Sequence, residues 1–195
     1  GNIGSVRIVQ KVGEEKFKSF LSKIGILEEL KFDITEVGKP IKFNWGKCPL
    51  ATVSFGHGIT TTLLQLSKAY SIIVNGGYQI NPTLIKVKKK QEPKRILNED
   101  VSKKILPILR KIVTTKNGTA SLANVDGYEI GGKTGTAQKS IRGVYKKKKI
   151  NSFVSVFPTS KPKFVLAVMI DEPKTNEDYI YHYRDGSNIK YKGTP

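Results

Sequence analysis

The apolar residues of this 195-residue chain change their spacing part-way along it, and this change limits the possible folds. Up to residue 113 they recur at helical intervals, most clearly over 61–75 and 99–113. After the turn residues Asn117-Gly118 and Asp126-Gly127, apolar and polar residues alternate with the period of two that is typical of strands. Helices followed by strands is the order of an α+β domain.

The pattern predicts four helices, over 3–12, 14–24, 61–75 and 99–113. It predicts three strands, over 128–138, 151–157 and 163–171. The link at 158–162 is too short for a helical crossover, so the last two strands should form an antiparallel hairpin. Residues 26–58 are predicted to be ordered but irregular, 79–87 to be a short extended segment, and Pro107 to kink or divide the fourth helix.

Composition indicates one globular domain without a membrane helix, because hydrophobic content is 38% and no apolar run is long enough. The chain begins at Gly1 without a methionine or a signal pattern, and we expect it to be an internal fragment. Cys48 is the only cysteine, and His57 and His182 are far apart, so we expect no disulfide, metal or cofactor.

The net charge of +18 first suggests an anionic partner, but only five of the 34 basic residues are arginine. Arginine is the side chain that recognises phosphates and bases with paired donors, so we expect no nucleic-acid partner. The lysines cluster at 86–90 and 146–149, which we expect to be exposed loops or strand ends. A solvated surface is the simplest interpretation, and attraction to an anionic membrane or polymer stays open.

The segment GYEIGGKTGT, at 127–136, permits two interpretations. Its first eight residues match a phosphate-binding P-loop, and the acid-ended strand at 165–171 resembles a Walker B segment. A P-loop, however, needs a helix directly after its lysine and threonine, whereas Gly135 and Thr136 follow here. In the alternative, 133–136 lie on an edge strand, where Lys133 and the neighbouring hydroxyls would suit a substrate carboxylate.

Five segments decide between these interpretations by resemblance: GNIGSVRIVQKVG, TVSFGHGITTTLLQLSKAYSIIVNGG, NGTA, GGKTGTAQK and FVLAVMIDEPK. Together they resemble the transpeptidase domain of class B penicillin-binding proteins of the cell-division type. They follow the family order and cover nearly all of the chain up to Lys174. The spacing from Asn2 to Lys133 is also similar to the family's distance between its second and third motifs.

The resemblance implies the α+β penicillin-binding and serine β-lactamase-like transpeptidase fold, with a helical lobe and an antiparallel sheet. The helical lobe would cover 1–115, the strands with the KTG motif 126–175, and a polar tail 176–195. The implied activity is peptidoglycan cross-linking in the cell wall by a serine that β-lactams trap. Implied partners are peptidoglycan stem peptides, β-lactam antibiotics and cell-division membrane proteins. The implied location is the periplasmic face of the bacterial inner membrane, with membrane contact only through an N-terminal anchor outside this chain.

The resemblance also implies roles for individual residues. Asn2 would be the last residue of the Ser-x-Asn motif and would orient the substrate's acyl-side amide. Lys133 would supply positive charge and a link to the proton-transfer groups. Thr134 and Thr136 would bind the terminal carboxylate, and the Thr136 amide would form half of the oxyanion hole. Gly135 would let the substrate backbone approach closely.

Two family motifs are incomplete in this chain. No Ser-x-x-Lys motif with the nucleophile is present, and Gly1 alone precedes Asn2, so the Ser-x-Asn serine is missing. We therefore expect the chain alone not to acylate, because loss of such a nucleophile costs on the order of 10⁶ in rate. A non-catalytic relative that binds peptidoglycan or division proteins is the second hypothesis, and a nucleotide-binding protein is the third. The tail at 176–195 lacks the family's final helix pattern, so one sheet face is expected to be uncovered.

Overall fold

The structure is a computed structural model that describes residues 1–87, 92, 94–141, 144–174, 180–182 and 188–190. Its α-helices are α1 (Asn2–Val12), α2 (Glu14–Lys23), α3 (Lys47–Val53), α4 (Leu63–Val74) and α5 (Glu99–Thr114), and a 3₁₀ helix covers Ser121–Ala123. Its strands are β1 (Gly131–Ile141), β2 (Val144–Phe157), β3 (Phe164–Asp171), β4 (Ile180–His182) and β5 (Asn188–Lys190). The α+β class predicted from the sequence is confirmed.

The chain divides into two compact units, Gly1–Ile105 and Leu106–Pro195, and the change falls within α5. Among the described residues, none of the helices combines the length and the apolar character that a membrane span requires.

In the first unit, helix α4 is the best-supported element. Its stripe buries Ala69 and Ile72 in one cluster with Ile24 and Ile26. At its start Thr62 and Gln65 form a capping box, in which each side chain bonds the backbone N–H of the other residue. Gln65 is fully buried, and its Nε2 also donates to the Glu28 carbonyl oxygen at 2.6 Å. Both polar ends of this buried side chain are therefore satisfied.

Two predictions in the first unit are wrong. The segment 26–58 was expected to be irregular, but it contains α3, whose seven residues are too few to show a helical period. Pro49 lies in the first turn of α3, where the missing backbone N–H needs no partner. No strand forms over 79–87, because the backbone pairing there is the isolated bridge from Tyr78 to Arg95.

In the second unit, β1, β2 and β3 form an antiparallel sheet in that order. The β2–β3 hairpin is as predicted, and Val154 and Val156 of β2 are buried. Strand β2 begins at Val144 rather than Asn151, so the lysine cluster at 146–149 lies within a strand. The sequence prediction missed this part because pairing with β1 joins backbone groups and needs no apolar side chain.

Strand β3 exposes one row of apolar side chains to solvent. Phe164, Leu166, Val168 and Ile170 alternate along the strand and are 44–59% exposed. This agrees with the expected uncovered sheet face. In the tail, β4 and β5 pair antiparallel, and the described residues of 176–195 contain no helix. Residues 175–179, 183–187 and 191–195 lie outside the described part of the chain.

Candidate active site

The candidate site residues of the second unit lie in succession on β1. Lys133 is paired with Val154 of β2, and the pairing continues without a bulge through Thr136. Successive side chains therefore point to opposite faces, with Lys133 and Gly135 on one and Thr134 and Thr136 on the other. Among the described strands β1 pairs only with β2, so its other edge is unpaired.

The two glycines before Lys133 are required by close packing. A Cβ at Gly132 would lie 2.6 Å from Phe153 Cζ and 2.7 Å from the Val154 carbonyl oxygen. A Cβ at Gly131 would lie 2.6 Å from Thr159 Cγ2 and 3.0 Å from the Arg110 backbone nitrogen. Helix α5 thus contacts the start of β1 backbone to backbone.

The P-loop interpretation of 127–134 is wrong. The chain enters a strand at Gly131 and stays in it to Ile141, so no helix follows Lys133. The backbone of 131–136 is paired with β2 rather than curved around an empty space. The geometry that a phosphate needs, amide groups at a helix N-terminus, is therefore absent from this fully described segment.

The Lys133 ammonium group has neutral partners. Its Nζ donates to the Thr134 carbonyl oxygen at 2.7 Å and lies 3.4 Å from Thr134 Oγ1. Within the described part of the chain, no carboxylate lies within ion-pair distance of Lys133. Its positive charge is therefore available to an anionic ligand.

The Thr134 hydroxyl donates to Thr119 Oγ1 at 3.1 Å. Thr119 belongs to the NGTA segment that follows α5, and its side chain is exposed. The sequence shows Thr119 only as a member of this segment, because its contact with Thr134 depends on how the turn folds back to β1. Thr119 is therefore a site residue that the sequence prediction did not identify.

Two charged residues hold the start of β1. Arg110 Nη1 on α5 donates to the Ile130 carbonyl oxygen at 2.7 Å and to Asn124 Oδ1 at 3.3 Å. The Glu129 carboxylate accepts from the Ser160 backbone N–H at 3.1 Å. Hydrogen bonds from Ser160 lower the pKa of Glu129, and the positive Arg110 lowers it further. These contacts fix the point at which the strand begins.

The far end of the sheet carries an ion cluster. Lys139 Nζ lies 2.9 Å from both Asp171 Oδ2 and Glu172 Oε1, and Lys148 Nζ lies 2.8 Å from Glu172 Oε2. Hydrogen bonds from Lys148 and then Lys139 lower the pKa of Glu172 to about 2. Bonds to Glu172 and Asp171 raise the pKa of Lys139. The lysines at this end are therefore partly neutralised within the fold.

Comparison with known protein families identifies the chain. Residues 1–187 match the family described as the penicillin-binding protein transpeptidase domain. The chain belongs to this transpeptidase family. The sequence-based assignment to class B penicillin-binding proteins of the cell-division type is thereby confirmed.

Curated transpeptidase relatives agree with this membership. The chain is 31% identical to the probable peptidoglycan D,D-transpeptidase FtsI of Caulobacter vibrioides, over 90% of this chain and 32% of that protein. It is 35% identical to the stage V sporulation protein D of Bacillus subtilis, over 89% of this chain and 29% of that protein. The chain thus spans about a third of the length of these relatives.

Solved transpeptidase structures share the fold. The apo transpeptidase domain of penicillin-binding protein 3 from Burkholderia pseudomallei matches with a TM-score of 0.82 and 32% identity, over 89% of this chain and 54% of that one. Penicillin-binding protein 3 from Mycobacterium tuberculosis, in complex with aztreonam, matches with a TM-score of 0.81 and 25% identity, over 89% and 43%. The predicted transpeptidase fold, present here in part, is confirmed.

The remaining site prediction for this transpeptidase chain concerns Asn2. Asn2 is the first residue of α1 and is exposed, and it belongs to the first compact unit. Lys133, Thr134, Gly135 and Thr136 belong to the second unit. The structure brings these four together on β1, and the place of Asn2 beside them stays a prediction.

Proposed function

We propose that this chain is the KTG-bearing part of a peptidoglycan D,D-transpeptidase that cross-links the cell wall by serine acyl transfer. The observation that carries the proposal is Lys133, a lysine without a carboxylate partner on an unpaired strand edge, beside hydroxyls that can hold an anion. Membership in the transpeptidase family supports it. The relative solved with aztreonam supports covalent inhibition by β-lactams as part of the same function.

Each site residue has a role in this proposal. Lys133 provides positive potential at the substrate's terminal carboxylate and connects to the proton-transfer groups. Thr134 and Thr136 bind that carboxylate through their hydroxyls, and the Thr136 amide stabilises the oxyanion. Gly135 leaves room for the substrate backbone, and Asn2 orients the amide on the acyl side.

The reaction consists of two balanced steps. A serine oxygen attacks the carbonyl carbon of the penultimate D-alanine, an ester C–O bond forms and the amide C–N bond breaks. The terminal D-alanine leaves as an amine, which receives the serine proton. The amine of a second stem peptide then attacks the ester, a new amide forms, the ester C–O bond breaks, and a proton returns to the serine oxygen.

The nucleophile in this proposal comes from sequence N-terminal to Gly1. No serine of the chain stands in a Ser-x-x-Lys motif, and the chain covers about a third of its curated relatives. The chain alone would then be inactive, since removal of such a nucleophile costs on the order of 10⁶ in rate. Full activity is therefore proposed for the longer protein.

The location and partners in the proposal follow from the same family. The longer protein would be anchored in the bacterial inner membrane, with this part on the periplasmic face. Its partners would be peptidoglycan stem peptides, β-lactams and the membrane proteins of cell division. The relatives named FtsI and stage V sporulation protein D support a role in cell-wall synthesis. Neither a cofactor nor nucleic acid has a part in the proposal.

Fluorescent penicillin tests the proposal. The full-length protein should be labelled covalently, and Lys133→Ala should sharply reduce labelling because the cation at the carboxylate is lost. Labelling that is insensitive to this substitution would contradict the role of Lys133. Peptidoglycan binding without any labelling would favour the non-catalytic alternative, and ATP binding abolished by Lys133→Ala would favour the nucleotide-binding one.

A further inference from the structure

The hydrogen bonding of Thr134 in the unliganded site conflicts with its proposed task. A hydroxyl has one proton to donate and two lone pairs that accept. Thr134 donates its proton to Thr119 Oγ1 at 3.1 Å, and Lys133 Nζ lies on its acceptor side at 3.4 Å. In this arrangement no proton of Thr134 remains for a substrate carboxylate.

Thr119 can resolve this conflict because its hydroxyl also carries a proton. If the two hydroxyls rotate, Thr119 donates to Thr134 Oγ1, and the Thr134 proton turns to the carboxylate. The two oxygens keep their 3.1 Å contact, so the exchange needs no backbone movement. A bond to a carboxylate is charge-assisted, and hydrogen bonds in a chain polarise one another, so the reversed arrangement is favoured once the anion is present.

The backbone of Thr119 is held on both sides by the end of α5. The Gly118 N–H donates to the Thr115 carbonyl oxygen at 2.9 Å, and a Cβ at Gly118 would collide with the Ile112 carbonyl group. On the other side, the Ala120 N–H lies 3.4 Å from the Ile112 carbonyl oxygen, and Ala120 is buried. The exposed hydroxyl of Thr119 is thus presented from a fixed backbone.

We propose that Thr119 is a positioning residue that accepts a hydrogen bond from Thr134 in the free site and donates one to it when a carboxylate binds. The proposal rests on the proposed function, in which Thr134 binds the terminal carboxylate of the substrate. It predicts that the Thr119 hydroxyl contributes only to ligands that carry that carboxylate.

The test compares acylation of the full-length protein by a penicillin and by the methyl ester of the same penicillin. Thr119→Val keeps the shape of the side chain and removes its hydroxyl, and it should lower the second-order rate constant for the free acid by about fivefold. The rate constant for the ester should not change. Thr119→Ser, which retains a hydroxyl, should restore the rate with the free acid.

Thr114→Val is the matched control. It removes a hydroxyl from the same turn of the chain, one that donates to the Arg110 carbonyl oxygen at 3.1 Å, and it should change neither rate constant. Thermal unfolding of each variant identifies any loss of fold. Equal slowing of acid and ester by Thr119→Val, or failure of Thr119→Ser to restore the rate, would overturn the proposal.

Thr134→Val separates this proposal from the proposed function. Loss of the preference for the free acid in Thr134→Val but not in Thr119→Val would refute the role of Thr119 alone. An unchanged preference in Thr134→Val would refute carboxylate binding by Thr134 and the role of Thr119 with it. In the Thr134→Val background, Thr119→Val should cause no further loss, because the two residues act through one contact.

Discussion

Lys133 and Lys139 lie on the same strand, yet their surroundings differ. Lys139 Nζ has two carboxylate oxygens at 2.9 Å, from Asp171 and Glu172, whereas Lys133 contacts only Thr134. The difference arises from strand pairing, because Asp171 at the end of β3 pairs with Ile150 of β2. The charge of a lysine on β1 therefore depends on which end of the sheet it occupies, and only the end with the KTG motif keeps its charge for a ligand.

The largest predicted effect is on acylation. Lys133→Ala in the full-length protein should lower the rate of penicillin labelling on the order of 100-fold, because a preorganised electrostatic contact is lost. Lys139→Ala should leave the rate nearly unchanged, since its charge is already compensated. Single-turnover labelling of both variants measures the difference. Similar losses in the two variants would show that the two ends do not differ in this way.

A second prediction concerns packing beside the motif. Gly132→Ala should lower the free energy of unfolding by about 1–3 kcal/mol, because the added methyl group overlaps Phe153 and a backbone carbonyl of β2. Gly135→Ala should cost less, since its Cβ would meet only the rotatable Ser152 hydroxyl, at 2.7 Å. Urea denaturation of the two variants compares these costs. Equal costs would contradict the close approach of the strands at Gly132.

The smallest predicted effect is the pH dependence of the ion cluster. The pKa of Glu172 is lowered to about 2 from an ordinary 4.5, so the folded state favours the charged form. The stability that Glu172 contributes should be complete above about pH 4.5 and should disappear as the pH falls towards 2. Glu172→Gln should remove this part of the acid sensitivity, and added salt should weaken it in the unaltered chain. Melting temperatures measured from pH 2 to 7 at two salt concentrations provide the check.

The sequence predicted those elements whose side chains carry a regular pattern. Helix α4 shows its apolar stripe and its Thr62 cap within one short segment, and it forms close to the predicted position. Helix α3 and the lysine-rich start of β2 have no such pattern, so both were missed. The same limit applies to the site, because pairs such as Thr119 with Thr134 depend on contacts between distant segments. Asn2 was assigned by family resemblance, and its role stays a prediction.

The turn at Gly118 also limits how the site can evolve. A side chain at position 118 would overlap the end of α5, whereas Lys116 and Asn117 beside it are exposed and can vary. Inherited variation that reshapes the support of Thr134, as selection by an antibiotic would favour, is therefore directed to Thr119 or to the exposed positions before Gly118. Gly118 itself, although it lies away from the lysine on β1, is a position at which almost any codon change would cost the protein its fold.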